Sequence, residues 1–215
     1  MAVVDDDRVL AVLPGDASRT HGERLPAEIA AVLAQAGVER QQIDLLAVAA
    51  GPGGFTGLRI GLAAVQGLAM TLNKLVAGVP TLDALAAQAQ EGGLIVPWMD
   101  AQRGDVFATV IDGASRAVLE PAVAEPPSPV LNRWRAQLLS HHVIFVGDAV
   151  ERDRELISRA GEGRWELKIP GPLAPQIAMI GRRMAEQGQA GLPHALTPIY
   201  VRRPDAVIER EKRAH

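Results

Sequence analysis

A glycine-rich loop between a predicted strand and a predicted helix constrains the fold most. The apolar run 43–50 predicts a buried strand, and residues 56–72 predict a helix. The loop that joins them reads Gly51-Pro52-Gly53-Gly54-Phe55-Thr56-Gly57. Its glycines allow backbone angles that side chains forbid, and its proline fixes one more dihedral angle. A strand that turns this tightly into a helix is typical of α/β proteins, and it leaves backbone N–H groups unpaired at the helix start.

Two common phosphate-binding motifs do not fit this loop. A P-loop needs a lysine after its second glycine, and the nearest lysine is Lys74. A dinucleotide fingerprint needs glycine at its sixth place, where this loop has Thr56. Two interpretations stay open, a structural turn that aims the helix and a contact with a nucleotide or anion. The candidates for that contact are Gly51, Gly53, Gly54 and Thr56.

The helix predicted over 56–72 is apolar or small at nearly every position. A helix that is apolar all round is buried all round, so the side away from its own sheet needs a second cover. One interpretation is a fully internal helix of a large core. The preferred one is a partner-binding helix, in which glycines and alanines let another backbone approach closely.

Composition and motif spacing exclude several kinds of chemistry. The chain of 215 residues has no cysteine, and no two histidines lie four residues apart, so no metal site is predicted. No Ser-His-Asp set has a plausible spacing, and His141 and His142 are expected on the surface. Asp100, Asp105 and Asp112 are either turn formers or a carboxylate site. No catalytic residue and no cofactor is predicted.

The overall charge and the apolar runs bear on partners and location. The net charge of −3 argues against a protein that binds nucleic acid by charge alone. No signal peptide and no uninterrupted apolar run long enough to span a bilayer is expected, so the expected location is cytoplasmic, with no membrane contact.

The glycine loop and its continuation to Gly61 resemble the signature of the TsaB (YeaZ) family, with Gly54 where that family usually has serine. Three further segments fit the family in the right order: 21–25, 100–107 and 198–204. The resemblance implies an α/β fold of two ribonuclease-H-like (actin-like ATPase) lobes, with mixed sheets flanked by helices. The boundary is expected near Pro97, which gives an N-terminal lobe of 1–97 and a C-terminal lobe of 98–215.

The resemblance also implies a function without catalysis. Family members support TsaD, which transfers threonylcarbamoyl to N6 of adenosine 37 in tRNAs reading codons that start with A. The implied partners are TsaD as a heterodimer, TsaE in a ternary complex, tRNA through that complex, and a second copy when TsaD is absent. The expected contacts on the two N-terminal helices are Gly57, Arg59, Gly61, Ala64, Gly67, Ala27, Ala30, Ala31 and Ala34.

Alternatives from other classes remain. The chain could be an actin-like ATPase or small-molecule kinase that uses the Gly51–Gly57 loop, and a metalloprotease is disfavoured because the histidine pair is missing. Arg202 and Arg203 are either a tRNA contact or a locally paired segment, with Tyr200 partly buried beside them.

The start of the chain departs from the family pattern. An apolar strand ending in Asp-Thr is expected before Ala2-Val3-Val4, and it is missing from this sequence. In the implied fold that strand lies at the centre of the first sheet. The resemblance therefore predicts a longer natural protein, with about five apolar residues and Asp-Thr encoded upstream.

Overall fold

The chain forms nine strands and six helices within the residues that the structure describes. The structure is a computed structural model that describes residues 1–15, 21–89 and 92–202. Short 3₁₀ turns cover Arg40–Gln42 and Pro193–Ala195. In chain order the elements are β1 (Ala2–Asp5), β2 (Arg8–Val12), α1 (His21–Ala36), β3 (Leu45–Gly51), α2 (Phe55–Leu72), β4 (Leu75–Pro80), α3 (Thr81–Ala86), β5 (Leu94–Asp100), β6 (Val106–Asp112), β7 (Val118–Glu125), α4 (Pro127–Leu138), β8 (Val143–Val146), α5 (Arg154–Ala160), β9 (Glu166–Lys168) and α6 (Ala174–Glu186).

These elements divide into two compact units. Unit 1 contains Met1–Ala84 and Gly171–Ile199, and unit 2 contains Leu85–Pro170 and the segment that begins at Tyr200. The boundary expected at Pro97 is therefore wrong, because this proline lies inside β5 and pairs with Val146 of β8. The division of 1–97 from 98–215 is also wrong for α6, which returns to unit 1.

Unit 1 contains two separate two-stranded sheets. Strands β1 and β2 form an antiparallel hairpin, with Asp6 in the left-handed region at φ 50°. Strands β3 and β4 are parallel and in register from Leu45 opposite Leu75 to Ala49 opposite Val79. Within the described residues no backbone pairing joins the two sheets.

Helices cover both faces of the β3–β4 pair. Helix α6 packs on one face so closely that a Cβ built on Gly181 would lie 2.5 Å from the Cβ of Ala47. On the other face, Gly78 lies under Leu196, whose carbonyl accepts a 3.0 Å hydrogen bond from the Gln66 side chain of α2. Helices α1 and α2 also pack against each other.

Unit 2 is built on one five-stranded sheet in the order β7-β6-β5-β8-β9. Strand β5 is antiparallel to β6 and parallel to β8, so the sheet is mixed. Its core contains Trp98 against Phe145 at 5.4 Å and Phe145 against Trp165 at 5.3 Å, measured between ring centroids. The Trp98 indole N–H donates to Asp153 at 2.8 Å, which satisfies the polar atom of a buried aromatic residue.

The α/β class with mixed sheets and flanking helices is confirmed, and one predicted connector is wrong. The four prolines of residues 120–129 predict an extended surface connector. Instead β7 runs to Glu125 as an edge strand, where proline is tolerated. The prolines that follow begin α4, since a helix leaves its first N–H groups unpaired anyway.

Candidate functional site

Helices α1 and α2 form an open groove on the surface of unit 1. Its volume is about 780 Å³. Small and apolar side chains form the floor and walls, and the 3₁₀ turn after α1 supplies a polar end. The lining residues are Leu25, Pro26, Ile29, Ala30, Leu33, Ala34, Val38, Glu39, Arg40, Gln41, Ala63, Ala64, Gly67, Leu68 and Thr71.

Helix α2 is mostly exposed, although its residues are mostly apolar. Of its 18 residues only Leu62 and Ala69 are buried. Its outward stripe carries Met70, which is 68% exposed, and Phe55, which is 40% exposed. The Arg59 guanidinium lies 3.8 Å from the centroid of the Phe55 ring, a cation–π contact. An apolar helix face that the described residues leave uncovered is typical of an interaction surface.

The structure brings together some of the predicted contact residues and separates others. Ala30 and Ala34 of α1 lie across the groove from Ala64 and Gly67 of α2. Ala27, Ala31 and Arg59 are exposed but lie outside the groove lining, and Gly57 and Gly61 are half-buried outside it. The groove is thus centred about two turns closer to the C-terminus of α2 than the predicted contact residues are.

Several groove residues are absent from the predicted contact residues. Leu25 and Ile29 fall at helical spacing on an apolar face, a pattern that does not tell a core from a groove, and both are half-buried and line the groove. Glu39, Arg40 and Gln41 carried no signal of their own. They reach the groove because the 3₁₀ turn folds back beside the end of α1.

Helix α2 also bears on the membrane prediction. Among the described helices it has the length and the mean hydropathy needed to cross a membrane. The expectation concerned an uninterrupted apolar run, and Arg59 and Gln66 interrupt the apolar residues of α2. In this fold α2 packs against β3 and β4 on its inner side.

The glycine loop is fixed at its start and open at its tip. Gly51 has φ 115°, and a side chain there would clash with the Ile199 carbonyl oxygen. The Ile199 N–H donates to the Ala50 carbonyl at 2.7 Å. By contrast, nothing lies within 4 Å of a Cβ built on Gly53 or Gly54, and Thr56 is exposed. Nucleotide or anion contact at this tip stays a prediction.

The aspartates of unit 2 are engaged in turns and ion pairs. Arg152 donates to Asp100 at 2.6 Å and to Asp153 at 2.8 Å. Both carboxylates raise the pKa of the Arg152 guanidinium, and Asp153 has the larger effect. Asp105 pairs with Arg202. Asp112 accepts from the Ser115 N–H at 2.7 Å, and this bond lowers the pKa of its carboxyl.

The other candidate groups of unit 2 lie in a turn and on the surface. Asp112 forms the turn that the sequence predicted for it. His141 and His142 are exposed as expected, and His142 pairs with Glu166 at 2.8 Å. In the described parts of the chain no three His, Asp or Glu side chains are grouped to hold a metal ion.

The C-terminal end of the described chain carries the predicted arginine. The Arg202 guanidinium donates to the Ala101 carbonyl at 2.9 Å and pairs with Asp105, and its side chain is 21% exposed. Tyr200 is 40% exposed. Arg203 lies outside the described residues.

Comparison with known proteins first defines the class. Residues 8–157 match the family model described as TsaD: tRNA N6-adenosine threonylcarbamoyltransferase. This match covers more than half of the chain, so the chain is a protein of the TsaD-type fold.

Individual relatives define the family within this class. The chain is 27% identical over 214 residues to the Bacillus subtilis tRNA threonylcarbamoyladenosine biosynthesis protein TsaB, covering 96% of this chain and 90% of that protein. It is 32% identical over 192 residues to an uncharacterized protein of Mycobacterium tuberculosis, covering 88% and 78%. The structure of YeaZ from Pseudomonas aeruginosa matches with a TM-score of 0.70 at 24% identity, covering 93% of this chain and 92% of that one. The chain belongs to the TsaB (YeaZ) family.

Proposed function

We propose that this chain is a non-catalytic subunit of the complex that adds threonylcarbamoyl to N6 of adenosine 37 in tRNAs reading codons that start with A. In this proposal it binds the catalytic subunit TsaD as a heterodimer, and TsaE joins the two. tRNA is reached through the complex. The B. subtilis relative that aligns over nearly the whole chain carries the same process in its name.

The observation that carries the partner role is the face of α1 and α2 that the described residues leave uncovered. Two packed helices with axes about 10 Å apart and a length of about 27 Å present on the order of 500 Å². A standard interface buries about 800 Å² per partner, so this face supplies the larger part of one. Its floor consists of alanine, glycine and aliphatic side chains, which lose little conformational entropy when a second helix pair docks on them.

The proposed contact surface is the groove together with the exposed stripe of α2. Ala30, Ala34, Ala64 and Gly67 admit the backbone of a partner helix, while Arg59 and the polar end at Glu39 and Arg40 set its direction. Ala27, Ala31, Gly57 and Gly61 flank this surface. A second copy of the chain would use the same surface in the absence of TsaD, because a two-fold dimer pairs identical patches.

Co-purification with TsaD tests this function. The tagged chain should retain TsaD from its own organism, and TsaE should join in the presence of both. Depletion of the chain in the cell should lower threonylcarbamoyladenosine in total tRNA, measured by mass spectrometry of nucleosides, and re-expression should restore it. Normal modification after complete depletion would contradict the proposed role, and failure to retain TsaD would contradict the proposed partner.

An actin-like ATPase or kinase is the second candidate, because the tip of the glycine loop is open. The purified chain should nevertheless show neither ATP hydrolysis nor proteolysis, since the sequence offers no lysine of a P-loop and no nucleophile set. Gly53→Val provides the control, because a side chain at this position meets no neighbour within 4 Å and the fold should persist. Turnover that follows the protein through purification and disappears in Gly53→Val would establish the enzyme instead. In the proposed role the chain needs no cofactor and works in the cytoplasm.

A further inference from the structure

Three exposed apolar side chains form a second patch in unit 1, beside the C-terminal end of α2. Met70 belongs to α2, Leu75 begins β4, and Leu192 precedes the 3₁₀ turn Pro193–Ala195. Leu75 is 44% exposed and Leu192 is 57% exposed, and Met70 is the most exposed of the three. These three residues are the Leu192 patch.

Backbone pairing places the two leucines side by side. The Val76 N–H donates to the Gly191 carbonyl and the Gly191 N–H donates to the Val76 carbonyl, both at 2.9 Å, in an antiparallel bridge. Leu75 precedes Val76 and Leu192 follows Gly191, and the backbone of Leu192 is extended. The two leucines are therefore direct antiparallel neighbours, and their side chains lie on the same face.

The segment that carries Leu192 is anchored to both α2 and β4. The Gln66 side-chain amide of α2 donates to the Pro193 and Leu196 carbonyls, each at 3.0 Å. Pro193 is buried, and the Leu196 side chain lies 2.7 Å from a Cβ built on Gly78 of β4. Leu192 is thus held in place before any partner arrives, so a contact with it costs little ordering entropy.

The open side of α2 extends from the groove to this segment. Met70 lies one turn beyond Gln66 on the same side of the helix, and it is also three residues after Gly67 of the groove. At about 3.6 residues per turn, the exposed positions of α2 form one continuous arc. They are Phe55, Thr56, Arg59, Ala63, Gly67, Met70 and Thr71. A partner that covers the whole arc therefore contacts the groove on one flank and the Leu192 patch on the other.

We propose that the surface for TsaD crosses α2 and includes the Leu192 patch, so that one partner covers α1, α2 and the segment 191–196. This inference rests on the proposed function, which names TsaD as the partner. The face of α1 and α2 supplies about 500 Å² of the roughly 800 Å² that each side of a standard interface buries. Leu75 and Leu192 add on the order of 200 Å² of exposed surface next to it, which brings the total close to the standard size.

The chemistry of the patch defines what TsaD must present there. Its centre carries no charge, while Lys74 and Asp44 lie 3.9 Å apart beside Leu75 and form a polar margin. An apolar centre with a polar rim is the usual arrangement of a protein interface. The segment of TsaD that covers Leu192 should therefore carry aliphatic or aromatic side chains and no unpaired charge.

The experiment titrates TsaD with variants of the full chain in a calorimeter. Leu192→Glu should weaken Kd at least 100-fold, because its carboxylate would be buried without a partner. Leu192→Ala, the milder variant, should weaken Kd about tenfold through lost apolar contact. Val118→Glu is the matched control, since Val118 is apolar, 58% exposed and located on β7 of unit 2. This control should bind TsaD like the unsubstituted chain, and thermal unfolding of every variant verifies that it is folded.

Four outcomes would contradict the proposal, and they can be told apart. Unchanged affinity of both Leu192 variants, with weaker binding by Gly67→Arg in the groove, would remove the patch from the interface and leave the proposed function intact. Failure of the unsubstituted chain to bind TsaD would overturn the proposed function itself. Unchanged affinity for TsaD combined with loss of self-association in sedimentation would assign the patch to a second copy of the chain. An equal loss of affinity in Val118→Glu would trace the effect to the added charge rather than to the position of Leu192.

Discussion

Substitutions at Gly67 can test the proposed binding surface without destabilising the chain. This glycine lies inside α2, is exposed, and lines the groove between α1 and α2. Nothing lies within 4 Å of a Cβ built on it, and its φ is not positive. A side chain can therefore be added at no steric cost to the isolated fold.

Both Gly67→Ala and Gly67→Arg should stabilise the fold, and Gly67→Arg should also weaken the binding of TsaD. Glycine costs a helix interior about 1 kcal/mol relative to alanine or arginine, so both variants should be more stable by up to that amount. For a chain of this length such a gain raises Tm by about 2–4 °C. Against TsaD, however, Gly67→Arg would place an unpaired charge in the contact, which costs on the order of 4 kcal/mol or about a thousandfold in Kd.

The assay combines thermal unfolding of each variant with titration calorimetry against TsaD. Gln189→Arg serves as the control, since it adds the same charge at an exposed residue after α6, away from the groove. Ala64→Arg, on the half-buried side of the groove, should weaken binding similarly but also lower Tm. A Gly67→Arg chain that melts at or above the wild-type temperature and binds TsaD with unchanged affinity would refute the groove as the interface. A lower Tm for Gly67→Ala would contradict the prediction that a side chain at this position meets no neighbour.

Three further predictions concern other parts of the chain. Gly51→Ala should destabilise unit 1 by about 2 kcal/mol or more in urea unfolding, because the new Cβ meets the Ile199 carbonyl at a positive φ. Gly53→Ala is the control and should change the free energy of unfolding by less than about 0.5 kcal/mol. Equal effects of the two substitutions would contradict this. Burial raises the pKa of Asp83 above its ordinary 3.8, so the folded state binds more protons than the unfolded state, and stability should fall as the pH rises from 3.8 through the folded pKa. Asp83→Asn should remove this part of the pH dependence in urea unfolding between about pH 4 and 7. An unchanged profile would exclude Asp83 as its source. Arg202→Ala should lower the stability of unit 2 by about 1–3 kcal/mol through loss of its bonds to Asp105 and Ala101. The assembled complex should still bind tRNA in a filter assay. Loss of tRNA binding at unchanged stability would show instead that Arg202 contacts the tRNA.

Local patterns predicted the elements well where one physical signal dominated. The glycine loop, the strand before it and the helix after it were all placed within a few residues, since periodicity and backbone freedom are local properties. Proline misled twice for one reason: its effect depends on position. Pro97 continues a strand and Pro127 starts a helix, whereas both suggested a break in the sequence.

Properties that depend on distant residues could not be predicted in the same way. The groove exists because the 3₁₀ turn at Arg40 and the middle of α2 meet beside α1, and no spacing in the sequence encodes that meeting. The half-burial of Leu25 and Ile29 has the same origin, because an apolar helix face looks identical whether a core or a partner covers it. Likewise, the pairing of Arg202 with Asp105 links residues 97 positions apart.

The return of α6 to unit 1 has a consequence for synthesis on the ribosome. Strands β3 and β4 emerge early, but the helix that packs Gly181 against Ala47 follows roughly a hundred residues after Ala84, which is about 5–20 s at usual translation speeds. The contiguous sheet of unit 2 can therefore fold while unit 1 still exposes one apolar side of its strands. During that interval the nascent chain offers a temporary binding site for chaperones, and slowing translation between Leu85 and Gly171 should lengthen the time for which it can be captured.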